Sequence, residues 1–576
     1  MEKQTYRIET VRHSLSHVLA AAVLDMFPEA KLGIGPAIDN GFYYDFDLPR
    51  TLIPEDLPIL EKKMRQIIAQ DLAFEQYDEP KSKAVEFLNK TGQSYKTELV
   101  EALPGDSVSF YSIKKDAEVL FVDLCKGPHV WSTKDLQSTG WKLDKIAGAY
   151  WKGSEKNKML QRIYALAFED KEALKKYENF LVEAERRNHR KIGEALDLFS
   201  FHEEGPGFAF WHPKGMVVWN ALLDWWREEH RIAGYDEVKT PIILSQDLWH
   251  KSGHWDHYKE NMYFTKIDER DFAVKPMNCP GSILIYKDKA HSYREFPIRR
   301  AEIGLVHRHE LTGVLHGLMR VRSFHQDDAH IFCLPSQIED EVVGVYELVE
   351  KMYKKLGLKY HVELSTRPES GSIGNDEMWQ SAESSLKKAL DRKNIDFKLN
   401  PGDGAFYGPK IDFHIEDAIG RTWQTATIQV DFAMPERFEI EYVDEAGHKS
   451  RPVMIHRTVF GSLERFIGIL IEHFAGAFPL WLAPVQVKIL PIAERHVGYA
   501  EAISEKLKIE SIRVEIDDRN ESIGKKVREA EMQKIPYMLV VGDKEVDEKH
   551  VSVREYGKGD RGSMLVDELI GVILKK

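Results

Sequence analysis

The chain has 576 residues, too many for one hydrophobic core, so we expect three or four domains. A net charge of -13 argues against a protein that grips nucleic acid by bulk charge, although local basic patches stay compatible with it. Three cysteines are too few for a disulfide framework and fit a cytoplasmic location, and no apolar signal segment follows Met1. The longest apolar run, residues 466–483, is interrupted by Glu472 and His473, so we expect a core helix and no membrane span.

The N-terminal region, residues 1–165, mixes short strands and helices and carries a cluster of histidines. Apolar residues at helical spacing in 13–27 predict a helix with His13 and His17 on one face. Cys125 and His129 follow in the segment DLCKGPH. By ligand type this set suits zinc, but a helix-face histidine pair beside a structural cysteine explains it as well. The residues alone leave both alternatives open.

Changes in composition and in the predicted secondary structure divide the rest of the chain. Residues 166–195 are charged and predict one connecting helix, and residues 196–482 are rich in tryptophan, glycine and strand patterns. The last segment, 483–576, predicts alternating elements, with strands at 485–492, 511–518, 537–542 and 550–555 and helices at 499–508, 523–535 and 563–575. Such alternation indicates a small α/β domain with a mixed sheet covered by helices.

Two antiparallel strands are predicted in the central region. In the first, Glu302–Glu310, Arg308 and Glu310 share one face, and in the second, Met319–Phe332, Gln326, Asp328 and His330 project together. The link between them, LTGVLHGL (311–318), is long for a hairpin and could be a mobile substrate loop. A third block, residues 456–474, begins polar and becomes helical, with Arg465 on the first turns.

Three distant residues, Cys279, His330 and His456, form a thiol and imidazole set that suits Zn²⁺. Three protein ligands leave one position open, as in a catalytic zinc site. Arginines beside these residues predict a polyphosphate site, and the sequence contains no P-loop segment. Each signal taken singly is ordinary, since a lone cysteine or histidine is usually a buried structural residue.

Taken in order, these blocks resemble the signature motifs of class II aminoacyl-tRNA synthetases. The helix around Trp219–His230 with GYDEVKTP is similar to motif 1, RVRSFHQDDAHIF to motif 2 and FGSLERF to motif 3. With MNCPGS, GDGAFYGPKIDF and WQTATIQVDF, the match is to the threonyl-tRNA synthetase family. The resemblance implies a multi-domain α+β and α/β protein. Its parts would be an antiparallel-sheet catalytic core, an α+β editing domain and a C-terminal α/β anticodon-binding domain. Motif 1 further implies a homodimer.

The resemblance also implies roles for individual residues. Cys279, His330 and His456 would hold one zinc ion per subunit, and Mg²⁺ would accompany ATP. The residues expected to contact ATP are Arg308, Glu310, Arg320, Phe324, Gln424 and Arg465. Those expected to contact threonine are Gln326, Asp328, Tyr407, Lys410 and Gln429. Catalytic contributions are implied for Arg308, Lys410 and Arg465, and for His254 in transfer to the tRNA ribose.

Amino acid selection explains why a second site is expected. A site that engages the threonine hydroxyl can reject valine by roughly 10⁴–10⁵-fold, whereas serine lacks one methyl group, worth only about 1–3 kcal/mol. Serine should therefore be attached by mistake and need hydrolytic removal. The N-terminal cluster resembles the editing domain of bacterial members of the family, which works without metal. The implied editing residues are His13, His17, Lys96, Asp123, Cys125 and His129.

The C-terminal domain resembles the anticodon-binding domain of class II synthetases, which makes tRNA(Thr) the expected partner. Asn520, Glu545 and Arg554 match positions that contact anticodon bases. We also expect the chain to lack the extra small domain that precedes the editing domain in many family members. Two alternatives remain: a paralogue with a different amino acid choice, and a regulator that grips RNA without catalysis. The intact metal set argues against the first, and the retained arginines argue against the second.

Overall fold

A computed structural model describes residues 6–575 of the chain, so the predicted outer limits at Met1 and Lys576 lie outside the described residues. The chain divides into two compact units, Met1–Val182 and Glu183–Lys576. This division falls inside the predicted connecting segment 166–195. Among the described residues, every helix is too short or too polar to cross a membrane.

The N-terminal unit is an α+β body built around a helix. Its helices are α1 (Ile8–Met26), α2 (Asp56–Ala69), α3 (Lys81–Lys90), α4 (Ser94–Ala102) and α5 (Lys171–Arg186), the last of which extends past the unit's limit. Its strands are β1 (Lys31–Leu32), β2 (Ala37–Ile38), β3 (Gly41–Asp47), β4 (Ala73–Pro80), β5 (Ser107–Lys115), β6 (Glu118–Leu124), β7 (Gly140–Tyr150) and β8 (Met159–Phe168). They form a five-stranded sheet, ordered β1-β3-β8-β7 with β2 beside β3, and a three-stranded sheet, β4-β5-β6.

Helix α1 forms the core of this unit because its apolar residues recur at helical spacing. Leu15 and Leu19 are fully buried in the same cluster as Phe42 and Phe46 of β3. The helix ends before Pro28, whose ring keeps the preceding residue out of the helical region. The predicted helix 13–27 is thus confirmed, with an earlier start.

The C-terminal unit begins with the part that is predicted to be catalytic. Its helices are α6 (His189–Ala195), α7 (Pro213–Ile232), α8 (Gln246–Ser252), α9 (His254–Tyr258), α10 (Cys279–Lys287), α11 (Ile338–Leu356), α12 (Asp376–Arg392), α13 (Ala433–Arg437) and α14 (Leu463–His473). Its strands are β9 (Phe199–Ser200), β10 (Phe210–Trp211), β11 (Asp236–Glu237), β12 (Ile243–Ser245), β13 (Tyr263–Ile267), β14 (Arg270–Val274), β15 (Ile298–His307), β16 (Ser323–Cys333), β17 (Lys359–Ser365), β18 (Phe397–Asn400), β19 (Lys410–Glu416), β20 (Thr422–Asp431), β21 (Tyr442–Val443), β22 (Lys449–Ser450) and β23 (Val453–Thr458).

An eight-stranded, mainly antiparallel sheet organises this part, in the order β11-β15-β16-β23-β20-β19-β17-β18. Alternation along β16 separates its two faces: Ala329 and Ile331 enter the hydrophobic core, whereas Asp328 and His330 face the other side. Helices α7, α11 and α14 supply much of that core, including Trp226 and Phe466. The opposite face is left for polar side chains.

Three predicted element limits are wrong. Strand β15 ends at His307, so Arg308 and Glu310 follow the strand instead of lying in it. Strand β16 begins at Ser323, after a 3-10 turn at Gly317–Met319. The connecting segment contains two helices, because the Asn188 side chain accepts a hydrogen bond from Arg190 N and starts α6 as a new helix.

The last part of the unit contains α15 (Val497–Ile509), α16 (Ile523–Met532), α17 (Asp543–Glu548) and α18 (Val566–Leu574). Its strands are β24 (Val487–Pro491), β25 (Val514–Ile516), β26 (Tyr537–Val541), β27 (His550–Glu555) and β28 (Gly559–Leu565), in the order β25-β24-β26-β27-β28. The predicted mixed α/β architecture is confirmed. The sequence prediction missed α17 and β28, and it began the last helix three residues early.

Candidate functional site

A cavity of about 460 Å³ lies on the polar face of the eight-stranded sheet. The residues predicted to bind ATP line it together: Arg308, Glu310, Arg320, Phe324, Gln424 and Arg465. So do four of those predicted to bind threonine, namely Gln326, Asp328, Tyr407 and Gln429, and the predicted metal ligands Cys279 and His456. The structure thus brings residues from five separated segments into one cavity.

Sheet register creates the predicted metal set. His330 on β16 lies directly opposite His456 on β23, and Cys279 is the first residue of α10. One donor atom from each residue lies within 4.8 Å of the others, and all three side chains are buried. Within the part of the chain that the structure describes, the buried Nε2 atom of His330 has no hydrogen-bond partner. A buried nitrogen without a partner is costly unless a ligand satisfies it, so the set fits a metal ion.

The chemistry around the set supports the same assignment. Burial lowers the pKa of His330 well below its usual value, which keeps the imidazole in the neutral form that binds metals. Asp431, which is fully buried, lies 2.8 Å from the Nε2 atom of His456. A carboxylate on one ring nitrogen fixes the ring and its tautomer, leaving the other nitrogen for a ligand. Sequence analysis missed Asp431, although it lies in the block WQTATIQVDF, two residues after Gln429.

The predicted ATP residues concentrate positive charge. Arg465 Nε donates to the Met319 carbonyl at 2.8 Å, and the Arg308 guanidinium lies 5.1 Å from the Phe324 ring centre. Burial, followed by the charges of Arg320 and Arg308, lowers the pKa of Arg465. Arg320 lies 3.7 Å from the Glu310 carboxylate. Three guanidinium groups against one carboxylate leave an excess positive charge that suits a polyphosphate.

The predicted threonine residues are held by one another. Tyr407 donates its hydroxyl hydrogen to Gln429 Oε1, and Asn278 Nδ2 donates to Asp328 at 3.3 Å. Gln326 Oε1 is buried and, among residues 6–575, lacks a hydrogen-bond partner. An unsatisfied acceptor that faces a cavity is suited to a polar ligand.

Lys410 and His254 lie beside the cavity and, within residues 6–575, outside its lining. Lys410 Nζ contacts Asp403 at 2.9 Å and Asp412 at 2.5 Å. The His254 ring is fully buried, with its Nε2 atom 3.8 Å from the Cys279 sulfur. Burial lowers the pKa of His254 to about 3, so this imidazole is neutral.

Asp412 is a second residue that sequence analysis missed. Its buried carboxylate accepts hydrogen bonds from Gln424 Nε2 at 2.6 Å, Thr427 Oγ1 at 3.1 Å and Ser365 Oγ at 3.0 Å, in addition to Lys410. It therefore fixes two predicted ligand-binding side chains, Gln424 and Lys410. Its place two residues after Lys410 on a strand could have indicated a shared face.

Asp327 organises the turn before α14. Its carboxylate accepts hydrogen bonds from the backbone N–H groups of Val459, Phe460 and Gly461, at 2.8–3.2 Å. After this turn, the Ser462 hydroxyl accepts from Arg465 N and caps the helix. The Asp327 carboxylate and the Ser462 cap together position Arg465. The sequence pattern predicted the helix but neither of these contacts.

The predicted editing residues also come together, in the N-terminal unit. The Cys125 sulfur lies 3.3 Å from His13 Nε2 and 3.3 Å from His129 Nε2. Lys96 Nζ and Asp123 form a buried ion pair at 2.6 Å, and His17 Nε2 lies 3.7 Å from the same carboxylate. A cavity of about 480 Å³ opens at His13. Donor atoms of the four histidine and cysteine residues lie within 4.8 Å, a spacing that could also hold a metal.

Burial controls protonation in this cluster. It lowers the pKa of His13, and lowers those of His17 and His129 much further, so the rings are neutral proton acceptors. It raises the pKa of the Cys125 thiol to about 11. Sequence analysis missed Tyr44, whose hydroxyl donates to Asp123 at 2.5 Å and holds that carboxylate from the side of β3.

The predicted anticodon residues are spread over the last sheet. Asn520 follows β25 and Glu545 follows β26, so both lie beyond the carboxyl ends of parallel strands. Arg554 lies on β27 opposite Met538, near the start of β26. Glu545 also accepts a hydrogen bond from Gly542 N at 2.9 Å, which caps α17.

Comparisons with known proteins agree with this organisation. Residues 263–474 match the family model of the tRNA synthetase class II core domain (G, H, P, S and T). Residues 486–576 match an anticodon binding domain, and residues 108–164 match the threonyl and alanyl tRNA synthetase second additional domain. The editing, catalytic and anticodon-binding parts that were predicted each have a matching model, which confirms the predicted fold class.

Threonine–tRNA ligases are similar over nearly the whole chain. That of Carboxydothermus hydrogenoformans is 59% identical over 573 residues, covering 99% of this chain and 89% of the relative. That of Clostridium acetobutylicum is 60% identical over 562 residues, covering 97% and 87%.

Solved structures agree. A crystal structure described as the RNA binding domain of threonyl-tRNA synthetase from Cryptosporidium parvum is 43% identical, with a TM-score of 0.64, and covers 68% of this chain and 98% of its own. Prolyl-tRNA synthetase from Giardia lamblia, solved with prolyl-adenylate, has a TM-score of 0.55 at 18% identity, covers 68% of this chain and 76% of its own, and shares the fold. The chain belongs to the threonine–tRNA ligase family of class II aminoacyl-tRNA synthetases.

Proposed function

We propose that each chemical step of a threonine–tRNA ligase can be assigned to particular residues of this chain. The enzyme attaches threonine to tRNA(Thr) with ATP, through a threonyl-adenylate, and hydrolyses mischarged Ser-tRNA(Thr). The observation that carries the assignment is the cavity on the sheet, where three arginines adjoin a buried thiol and imidazole set. A regulator that grips RNA without catalysis has no supporting observation, since Arg308, Arg320 and Arg465 all line this cavity.

Zinc is the proposed resident cofactor, one ion per subunit, held by Cys279, His330 and His456. Two observations support this choice: His330 Nε2 has no hydrogen-bond partner among the described residues, and Asp431 orients His456. When bound, zinc would act as a Lewis acid that recognises the amino and hydroxyl groups of threonine. The same amino acid would be held by hydrogen bonds from four residues that line the cavity, namely Gln326, Asp328, Tyr407 and Gln429. Lys410, which lies beside the cavity, would also contact threonine.

Activation of threonine requires the chain to position two anionic groups against each other. Adenylate formation needs little covalent help from the protein and much neutralisation of charge at the α-phosphate. We assign that neutralisation to Arg308, while Arg320 and Arg465 would bind the rest of the nucleotide, which Mg²⁺ accompanies. Glu310, Phe324 and Gln424 would bind the nucleoside.

Editing is assigned to the N-terminal cluster. A neutral imidazole of His13, His17 or His129 can take a proton from a water molecule, and His13 borders the open cavity. Lys96, Asp123 and Cys125 would bind the ester end of the tRNA. We propose that this pocket works without metal, as its resemblance to the editing domain of bacterial family members implies.

The remaining assignments concern tRNA and assembly. His254 would assist transfer to the tRNA ribose, and Asn520, Glu545 and Arg554 would contact anticodon bases. We propose a cytoplasmic homodimer that uses the motif 1 helix α7, and domain limits at 1–165, 166–195, 196–482 and 483–576.

The first test is amino-acid-dependent exchange of pyrophosphate into ATP on the purified chain. Strong exchange with threonine, weaker exchange with serine and almost none with valine is the expected result, because zinc recognition needs a hydroxyl group and a missing methyl group discriminates weakly. Equal exchange with valine would contradict the zinc pocket. Loss of exchange with all three amino acids would contradict the assignment of the arginines.

A further inference from the structure

Two histidines and a glutamate lie on the catalytic sheet, away from the sites described above. His361 and Glu363 are two residues apart on β17, and His414 lies directly opposite His361 on β19. Side chains two residues apart on a strand share a face, so all three project to the same side. We propose that this set is an additional binding site for a borderline divalent cation of the Zn²⁺, Ni²⁺ or Co²⁺ class.

The donor atoms of the three residues converge without forming good hydrogen bonds. His361 Nε2 lies 3.4 Å and His414 Nε2 lies 3.7 Å from the Glu363 carboxylate, and the imidazole rings stack with centres 4.9 Å apart at 8°. Such separations are long for hydrogen bonds. They are close to those between two ligands that each lie about 2.1 Å from one cation. All three donor atoms lie within 4.8 Å of one another.

The competing interpretation is an ordinary ion pair between Glu363 and Lys398. Lys398 Nζ lies 3.3 Å from Glu363 Oε1, but its side chain is 73% exposed and can move into water. The Glu363 side chain is only 10% exposed and is held by β17 and by Asn400 Nδ2 at 3.2 Å. A divalent ion would therefore displace a mobile ammonium group and leave the glutamate in place.

The surroundings suit an open cation site. Two imidazoles and one carboxylate make a three-ligand set that leaves positions for water or a ligand. The side chain of His361 is 47% exposed, so water can reach the set.

The proposed cation would lie on the polar face that also carries the active site. Ser365, two residues after Glu363, donates to Asp412, and Gln424 donates to the same carboxylate. His414 lies opposite Gln424 across β19 and β20. The site is nevertheless separate from the cavity proposed for ATP and threonine.

The test is cobalt binding to the metal-stripped full chain. Equilibrium dialysis would measure how much cobalt is bound per chain, and absorption spectroscopy would show which ligands hold it. Cobalt at the Cys279 or Cys125 set would show a sulfur-to-metal band in the near ultraviolet, whereas a site without sulfur would show weak visible bands alone. We compare the parent with His361→Asn and Glu363→Gln. The matched control is His448→Asn, since His448 is also an exposed histidine beside a carboxylate, 4.0 Å from Asp444.

The expected result is that both variants lose one bound cobalt per chain and part of the visible bands, while the control keeps them and the sulfur band is unchanged. Equal cobalt binding in the parent and both variants would overturn the proposal. The side chain of His361 is 47% exposed, so His361→Asn should fold and keep threonine-dependent exchange. Cobalt stoichiometry and exchange are separate readouts, so failure of the cation site and failure of the ligase assignment are distinguishable.

Discussion

Cys279 supplies the sulfur donor of the proposed zinc set and is the residue whose replacement tests it most directly. We expect Cys279→Ser to lose bound zinc and to lower threonine-dependent exchange by at least about 100-fold, since a hydroxyl is a poor substitute for a thiolate ligand. Cys333→Ser is the matched control, because Cys333 is also buried and ends strand β16. Metal content and exchange rates would be measured for both variants. Full exchange in Cys279→Ser would remove zinc from the mechanism.

His13 and His17 test the separation of the two active sites. We expect the double variant His13→Ala/His17→Ala to slow hydrolysis of Ser-tRNA(Thr) by about 10²–10⁴-fold, the range for loss of a general base. Charging with threonine should stay unchanged, because the ligase cavity contains neither residue. Tyr95→Phe, which removes a hydrogen bond to Asp47 in the same unit, serves as the control. Unchanged deacylation in the double variant would refute the editing site.

At the scale of elements, the turn between β23 and α14 depends on one buried carboxylate. Asp327→Asn would place an amide group against the backbone N–H donors of Val459, Phe460 and Gly461. We expect a loss of about 3 kcal/mol in the free energy of unfolding, together with weaker ATP binding, because the turn positions Arg465. Urea titration and ATP binding would measure the two effects.

A control for that variant is Asp444→Asn. Asp444 also accepts backbone hydrogen bonds, from Ala446 N and His448 N, but it lies in a loop and is partly exposed. Its replacement should cost less than about 1 kcal/mol, since water can replace the lost partner. If the two substitutions lowered the free energy of unfolding equally, the buried Asp327 carboxylate would stabilise its turn no more than an exposed aspartate does.

Elements also show where sequence patterns stop being informative. The alternation in β16 and the helical spacing in α1 and α14 predicted which side chains share a face, because a buried face imposes a period on the sequence. The grouping of distant segments into two sites came from the family resemblance. The limits at His307 and Asn188 were missed, since they depend on a strand end and on a side-chain cap. Asp431 and Asp327 were missed because the side chains and backbone groups that they bind come largely from distant segments. Asp412 did have a local signal, its two-residue spacing from Lys410 on a strand, but most of its partners are also distant.

At the scale of the whole molecule, buried neutral histidines are found in both compact units. Burial lowers the pKa of His17 and His129 in the N-terminal unit and of His230 and His254 in the C-terminal unit. In the unfolded chain, each of these histidines takes up a proton as the pH falls below about 6.5, whereas in the folded chain it stays neutral. The free energy of unfolding should therefore fall as the pH is lowered through this region.

His230 in α7 isolates this effect because it belongs to neither proposed active site. Its ring stacks on Trp226 at 3.8 Å and its Nδ1 atom contacts the Trp226 carbonyl at 2.7 Å, and burial lowers its pKa to about 2. The contribution of the neutral His230 ring to the free energy of unfolding is complete above pH 6.5 and is lost progressively below it. The loss is about 2 kcal/mol between pH 7 and pH 5. We expect His230→Asn to be less stable at pH 7 but to lose less stability on acidification, as urea midpoints at each pH would show. A slope in His230→Asn equal to that of the parent would mean that the buried imidazole does not control acid stability.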